Sequence, residues 1–138
     1  MPKEVVSKSS APHQLQVRVY YEDTDMGGIV YHANYLKFIE RARSDWVSTL
    51  GVDQRVMKDE GVIFAVRRVE GDYLMAARFD DRLEVRTRTL SVTGARLVME
   101  QEVWRGKDLI FSAQVTLVCI NDAGQPSRLP ANIRRLLH

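Results

Sequence analysis

The chain has the length and composition of one globular domain. Its 138 residues are 45% hydrophobic and carry a net charge of +2, with lysine and arginine interspersed among the acids. This length allows a sizeable core but no second domain, and the balanced charge argues against a nucleic-acid binder. We therefore expect a single domain over 1–138, with 1–10 as a flexible N-terminal extension.

Signals for export, membrane insertion and metal binding are absent from the sequence. Residues 1–10 lack the apolar run of a signal peptide, and no 18-residue apolar window follows them. Cys119 is the single cysteine and lies in an apolar strand pattern, while the three histidines lack the spacing of metal ligands. We expect a cytoplasmic protein without membrane insertion, with a core thiol at Cys119, no metal and no cofactor.

The first predicted elements are a strand and a long helix. From Leu15 onward apolar and polar residues alternate, which is the period of a half-buried strand. Farther on, apolar residues recur at steps of three and four from Tyr35 to Leu50, which predicts a helix of roughly four turns. Asn34 or a neighbour would cap this helix, and Gly51 would end it.

The rest of the chain, after a short second helix over 52–60, is typical of a sheet. The segments 62–69, 83–89, 96–104 and 109–120 carry β-branched or alternating apolar residues, and tight turns separate most of them. Parallel pairs need long crossovers, so these strands are expected to pair antiparallel. The sequence thus predicts an α+β domain in which one long helix packs against an antiparallel sheet.

The segment between the first strand and the long helix is the best candidate for a functional site. It reads YEDTDMGGIVYHANY and contains the carboxylates of Asp23 and Asp25. A carboxylate there lies beside the unpaired N–H groups that begin the helix, so a base or nucleophile and a stabiliser of negative charge share one segment. Gly27 and Gly28 would let the backbone approach a substrate closely.

These residues resemble a known family of enzymes. A strand, then D-T-D-x-x-G-x-V-Y-H-x-x-Y, then a helix reading F-I-E-R-A-R, is similar to the hotdog-fold acyl-CoA thioesterases. The nearest subgroup is the tol-pal-associated thioesterases, which are related to 4-hydroxybenzoyl-CoA thioesterase. Segments 73–85 and 128–130 also resemble that family. The resemblance implies a hotdog fold and the hydrolysis of an acyl-CoA to a free acid and coenzyme A.

The resemblance also implies roles for individual residues. The second aspartate of D-x-D is the family's catalytic carboxylate, so Asp25 is the candidate, either as nucleophile on the thioester carbonyl or as general base for a water. The family places the thioester oxygen at the start of the long helix, near the backbone N–H of the residue aligned with His32. His32 is the second catalytic candidate. The implied substrate-binding residues are Gly27, Gly28, Tyr31, Ala33, Arg86, Arg88 and Arg96, with the arginines for the phosphates of coenzyme A.

Each candidate also has an ordinary structural interpretation. An acid before a helix is most often a cap or turn residue, and Asp23 is expected to hold the loop together through backbone hydrogen bonds. His32 would contact the substrate or orient Asp25, or it would have only a structural role at the start of the helix. Tyr31 would line the acyl pocket or pack the helix on the sheet. Arginines on a solvated face are common as well.

The resemblance further implies an assembly of identical subunits. Members of the family form homodimers, often paired into homotetramers, with the active site at the subunit interface. Two other functions stay open from the sequence. One is a dehydratase or hydratase in which His32 pairs with Asp25, and the other is a non-catalytic module that binds acyl thioesters or an acyl carrier protein.

Overall fold

The computed structural model describes residues 4–5 and 11–136. The predicted flexible extension, 1–10, lies outside the described residues except for a two-residue strand. The strands are β1 Glu4–Val5, β2 His13–Arg18, β3 Val62–Tyr73, β4 Arg82–Val92, β5 Arg96–Arg105, β6 Asp108–Asn121 and β7 Pro126–Ser127. The helices are α1 Asn34–Thr49, α2 Gln54–Asp59 and α3 Ala131–Leu136, and a 3-10 turn covers Tyr21–Asp23.

The strands form an antiparallel sheet, as the tight turns predict. The strand order is β1-β4-β5-β6-β3, with β2 also paired to β4 and β7 to β6. Within the described chain, β3 pairs only with β6, so the second edge of this twelve-residue strand has no partner. A long unpaired edge is a surface on which another strand can add.

Bulges in β3 and β4 change which face of the sheet some side chains occupy. Arg67 on β3 and Leu90 on β4 have no opposite residue in the adjoining strand. An extra residue shifts the alternation by one, so the residues after it change face. Arg68 and Ser91 consequently lie on the outer face, opposite to the one that α1 covers.

α1 lies on the inner face of the sheet, where it contacts β2, β4 and β5. Its apolar stripe is buried there, and Phe38, Ile39 and Ala42 are fully inaccessible to solvent. Each buried large side chain contributes about 1.5–3 kcal/mol of stability. Gly51, which has a φ of +77°, follows the helix as predicted.

α1 leaves much of the inner face of β3 uncovered. Val66, Val69 and Tyr73 lie opposite buried residues of β6, yet they are 47%, 38% and 51% exposed. Leu36 of α1 is exposed as well. An apolar strip beside an unpaired strand edge marks an interaction surface.

The thiol of Cys119 is fully buried on β6, as predicted. Burial raises its pKa to about 11, so the thiol stays protonated at neutral pH. Cys119 is therefore a core residue and has no role as a nucleophile. Each helix in the described ranges is too short or too polar to cross a membrane.

Candidate active site

The Asp25 loop, residues 19–33, makes a tight turn around the predicted catalytic carboxylate. Asp25 N donates to Ile29 O and Gly28 N donates to Asp25 O, both at 3.0 Å. Gly28 has a φ of +78°, a left-handed conformation that glycine adopts without strain. The Asp25 side chain is exposed, and its Oδ1 accepts a hydrogen bond from Gly27 N at 2.8 Å. Its Oδ2 accepts none from the described residues, so one oxygen is oriented and the other is available for chemistry.

Asp23 has the bracing role that the sequence predicts. The residue is 3% exposed, and its Oδ2 accepts from Tyr20 N at 2.8 Å while its Oδ1 accepts from Asn34 Nδ2 at 2.9 Å. Asn34, a predicted cap, lies inside the first turn of α1, and its neighbour Ala33 is the cap residue. The Asp25 loop is thereby tied to the first residue of the helix.

We expect Asp23→Asn to lower the free energy of unfolding by about 1–3 kcal/mol. The asparagine side chain has one oxygen and one NH₂ group in place of the two carboxylate oxygens. Either Tyr20 N or Asn34 Nδ2 would therefore lose its acceptor and face a second donor in a buried place. Urea unfolding of the variant and of the wild type measures the difference. The matched control is Glu22→Gln, an exposed neighbour, which should leave stability unchanged. Equal stability of Asp23→Asn and the wild type would contradict the bracing role.

The start of α1 provides unpaired backbone donors. Asn34 N donates to Tyr31 O at 2.8 Å and Leu36 N donates to Ala33 O at 3.1 Å. Among the described residues, the N–H groups of His32 and Ala33 have no acceptor. Free N–H groups at a helix start stabilise negative charge. The two residues can therefore bind an oxygen that becomes anionic.

The side chains of Tyr31 and His32 are exposed beside the helix start. Their ring centroids are 4.6 Å apart, and Tyr73 lies edge-on to His32 at 6.3 Å. In the described part of the chain, no hydrogen bond joins the His32 ring to Asp25. The structure therefore does not support the interpretation in which His32 orients Asp25 by direct contact. It also adds Tyr73, whose hydroxyl donates to His32 O at 2.9 Å.

A second loop, 74–81, fixes the Asp25 loop to the sheet. Val30 N donates to Ala77 O at 2.8 Å, and Ala77 N donates to the Tyr35 hydroxyl at 3.2 Å. Burial raises the pKa of Tyr35, which keeps this hydroxyl neutral. Arg105 Nη1 donates to a carbonyl of the same loop at 3.0 Å. The Asp25 loop thus rests on residues of α1, β5 and the second loop.

The arginines predicted to bind phosphate do not lie together. Arg96 lines a groove of about 1040 Å³, whose β-strand residues lie on the outer face of the sheet. Arg86 is paired with a glutamate and lies over a tryptophan ring at 4.5 Å, and neither it nor Arg88 lines the groove. Three further arginines line the groove, namely Arg67, Arg68 and Arg128. Sequence reasoning missed Arg67 and Arg68.

The outer groove is basic and contains polar groups without internal partners. Arg68 is paired with a glutamate, whereas Arg67, Arg96 and Arg128 form no ion pair with the described residues. Ser91 Oγ also lacks a hydrogen-bond partner there, although Ser91 is only 2% exposed. The exposed guanidinium groups form a donor set suited to phosphate. Nowhere in the described chain do three or more His, Cys, Asp or Glu side chains form a group that could hold a metal ion.

Comparison with known proteins identifies the family. Residues 27–111 match the sequence model of the thioesterase superfamily. The chain is 40% identical over 125 residues to the acyl-CoA thioesterase YbgC of Haemophilus influenzae. The matched region covers 88% of this chain and 91% of that protein. It is also 41% identical over 119 residues to the acyl-CoA thioester hydrolase YbgC of Escherichia coli. That match covers 85% of this chain and 89% of the relative.

Solved structures agree with this assignment. A crystal structure described as a "probable thioesterase" from Bartonella henselae has a TM-score of 0.83 and 39% identity, covering 87% of this chain and 100% of that chain. The comparisons confirm the predicted resemblance, the α+β hotdog fold and the enzyme class, an acyl-CoA thioesterase. The chain therefore belongs to the thioesterase superfamily.

Proposed function

We propose that the protein hydrolyses acyl-CoA thioesters to a free carboxylic acid and coenzyme A, with Asp25 as the catalytic carboxylate. The observation that carries the proposal is an exposed carboxylate with one free oxygen, on the loop that leads into a helix start where the N–H groups of His32 and Ala33 are unpaired. Two relatives named as acyl-CoA thioesterase and acyl-CoA thioester hydrolase support coenzyme A as the carrier.

Asp25 begins the reaction by one of two routes. Its Oδ2 attacks the thioester carbonyl carbon, expels the thiolate and leaves a mixed anhydride that water cleaves, or it takes a proton from the water that attacks the carbonyl. In both routes the carbonyl oxygen gains negative charge. The N–H groups of His32 and Ala33 stabilise that oxygen, and the released thiolate is protonated to free coenzyme A.

Four other residues of the loop shape the approach to this point, namely Gly27, Gly28, Tyr31 and His32. Gly27 has no side chain, and this lets its N–H lie close to the carboxylate. A Cβ atom at this position would lie only 3.1 Å from Asp25 Oδ1. Gly28 closes the turn. We assign the exposed rings of Tyr31 and His32 to contact with the substrate.

The outer groove suits the nucleotide end of coenzyme A. The phosphates of coenzyme A carry several negative charges, and hydrogen bonds between arginine and phosphate are among the stronger ones in proteins. We assign Arg96 to this contact together with Arg67 and Arg128. Arg86 and Arg88 are not part of this groove, so we assign them no phosphate contact.

We expect the double variant Arg67→Gln/Arg96→Gln to raise KM for acyl-CoA about tenfold or more, since a hydrogen bond to a charged group contributes about 1.5–3 kcal/mol. kcat should change little, because the reacting atoms are untouched. Steady-state thiol release measures both constants, and Arg86→Gln is the matched control. An acyl N-acetylcysteamine thioester, which has no nucleotide, should show no effect. An unchanged KM for acyl-CoA, or an equal rise in Arg86→Gln, would contradict the assignment.

We propose a homodimer as the minimal active unit. The unpaired edge of β3 and the exposed strip of Val66, Val69 and Tyr73 suit a second copy of the same strand. Arg67 and Arg68 lie at the middle of β3, and Arg68 is about 16 Å along the strand from Tyr73. Antiparallel pairing of two β3 strands would bring the middles of the two strands together, so that the groove of each copy lies beside the partner. We infer that the groove of one copy serves the Asp25 loop of the other, and homotetramers would be pairs of such dimers.

Release of free thiol by the purified protein tests the function. The panel contains acetyl-, longer acyl- and aromatic-CoA thioesters and an acyl carrier protein thioester. We expect one thiol for each thioester consumed, and the buried Cys119 adds no background. A dehydratase would convert the substrate without releasing thiol, and a binding module would leave it intact. Either result would overturn the proposal.

A further inference from the structure

The hydroxyl of Tyr73 reaches across the structure to the backbone at the start of α1. It donates to the carbonyl oxygen of His32 at 2.9 Å, although the two residues are 41 positions apart. The Tyr73 ring lies at the end of β3 and packs against the rings of Phe111 at 4.9 Å and Tyr35 at 5.5 Å. Because these contacts hold the ring on two sides, its hydroxyl has a fixed position.

The His32 carbonyl has no acceptor role within the helix. The N–H four residues on, that of Leu36, donates to Ala33 O at 3.1 Å instead. Tyr73 therefore supplies the hydrogen bond that the helix does not. The carbonyl of His32 and the N–H of Ala33 belong to one planar trans peptide, in which they point in opposite directions. A group that fixes the carbonyl thereby fixes the direction of the N–H.

We propose that Tyr73 is a positioning residue, whose hydroxyl holds the His32–Ala33 peptide so that the Ala33 N–H is fixed as a donor to the thioester oxygen. This inference rests on the proposed hydrolysis. Tyr73 touches none of the reacting atoms and acts through the peptide. Its hydroxyl comes from the strand whose edge is free, so the site depends on β3 as well as on the Asp25 loop.

Tyr73→Phe tests the inference because it removes one oxygen and keeps the ring packing. We expect kcat for acyl-CoA hydrolysis to fall about tenfold, less than for the loss of a direct oxyanion donor, with KM nearly unchanged. The matched control is Tyr21→Phe, because that side chain is 84% exposed and its hydroxyl has no partner among the described residues. A Tyr73→Phe variant with the kcat of the wild type would overturn the inference.

A spectroscopic measurement separates positioning from general stabilisation. In an Asp25→Asn background that keeps the thioester intact, infrared difference spectra with a ¹³C-labelled carbonyl report how strongly the carbonyl is polarised. Adding Tyr73→Phe should move the carbonyl stretch back toward its value in water. An unchanged stretch would overturn the role of Tyr73, even if kcat falls. Absence of hydrolysis by the wild type on every thioester would defeat the proposed function itself, and with it the role of Tyr73.

Discussion

Replacing Asp25 by asparagine should reduce kcat for thioester hydrolysis by about 10²- to 10⁴-fold, the range for loss of a positioned acid–base group. Asparagine has nearly the same shape, and its oxygen can still accept the Gly27 N–H. It can neither attack the carbonyl effectively nor take a proton from water. KM should change little, because the nucleotide contacts lie elsewhere. Steady-state thiol release on the preferred acyl-CoA measures both constants.

The control for this prediction is Asp59→Asn, an exposed carboxylate at the end of α2 that is far along the chain from the Asp25 loop. It should retain the kcat of the wild type. Circular dichroism and the assembly state should be unchanged in both variants, since Asp25 is exposed. A folded Asp25→Asn protein with wild-type kcat would remove Asp25 from the mechanism.

Replacing Val69 by aspartate should abolish both the dimer and most of the activity. Val69 lies on the exposed inner face of β3, and a two-fold interface would bury two copies of the new charge. An unpaired buried charge costs about 2–5 kcal/mol or more, so the dissociation constant of the dimer should rise by about 10³-fold or more. Sedimentation across a range of concentrations measures this constant, with thiol release on the same samples.

Val56→Asp is the matched control for the interface. Val56 is 52% exposed on α2 and is not a residue of β3 itself, so the same change there should leave assembly and activity intact. If Val69→Asp remained a fully active dimer, the β3 edge would not be the interface that completes the site.

The sequence predicts most of the fold because most elements carry a regular hydrophobic period. α1 and the strands β4, β5 and β6 lie close to their predicted positions. β3 runs four residues beyond its predicted end at Val69, since polar residues and Gly71 interrupt its apolar pattern. Its pairing with β6 continues through them, because backbone hydrogen bonds do not depend on side-chain polarity. α3 has only six residues, too few for a helical period to appear.

The residues of the candidate site also differ in whether the sequence alone could indicate them. The bracing role of Asp23 could be predicted from the sequence because its partners lie close to it along the chain, and Asp25 could be proposed as the catalytic carboxylate because the family pattern points to it. Tyr73 could not, since its contact with the Asp25 loop exists only after β3 takes its place in the sheet. The outer groove was missed for a similar reason: the bulge at Arg67 decides which face the neighbouring arginine occupies, and Arg128 joins it from the far end of the chain.

Hydrolysis of the thioester is tested most directly by the product balance of the wild-type protein acting on acyl-CoA in H₂¹⁸O. Hydrolysis predicts one free coenzyme A and one carboxylic acid for each thioester consumed, with ¹⁸O from water in the acid after many turnovers. Mass spectrometry of the acid and titration of the thiol give both numbers from one reaction. Consumption of the thioester without free thiol, or an acid that carries no ¹⁸O, would show that the protein is not a thioester hydrolase.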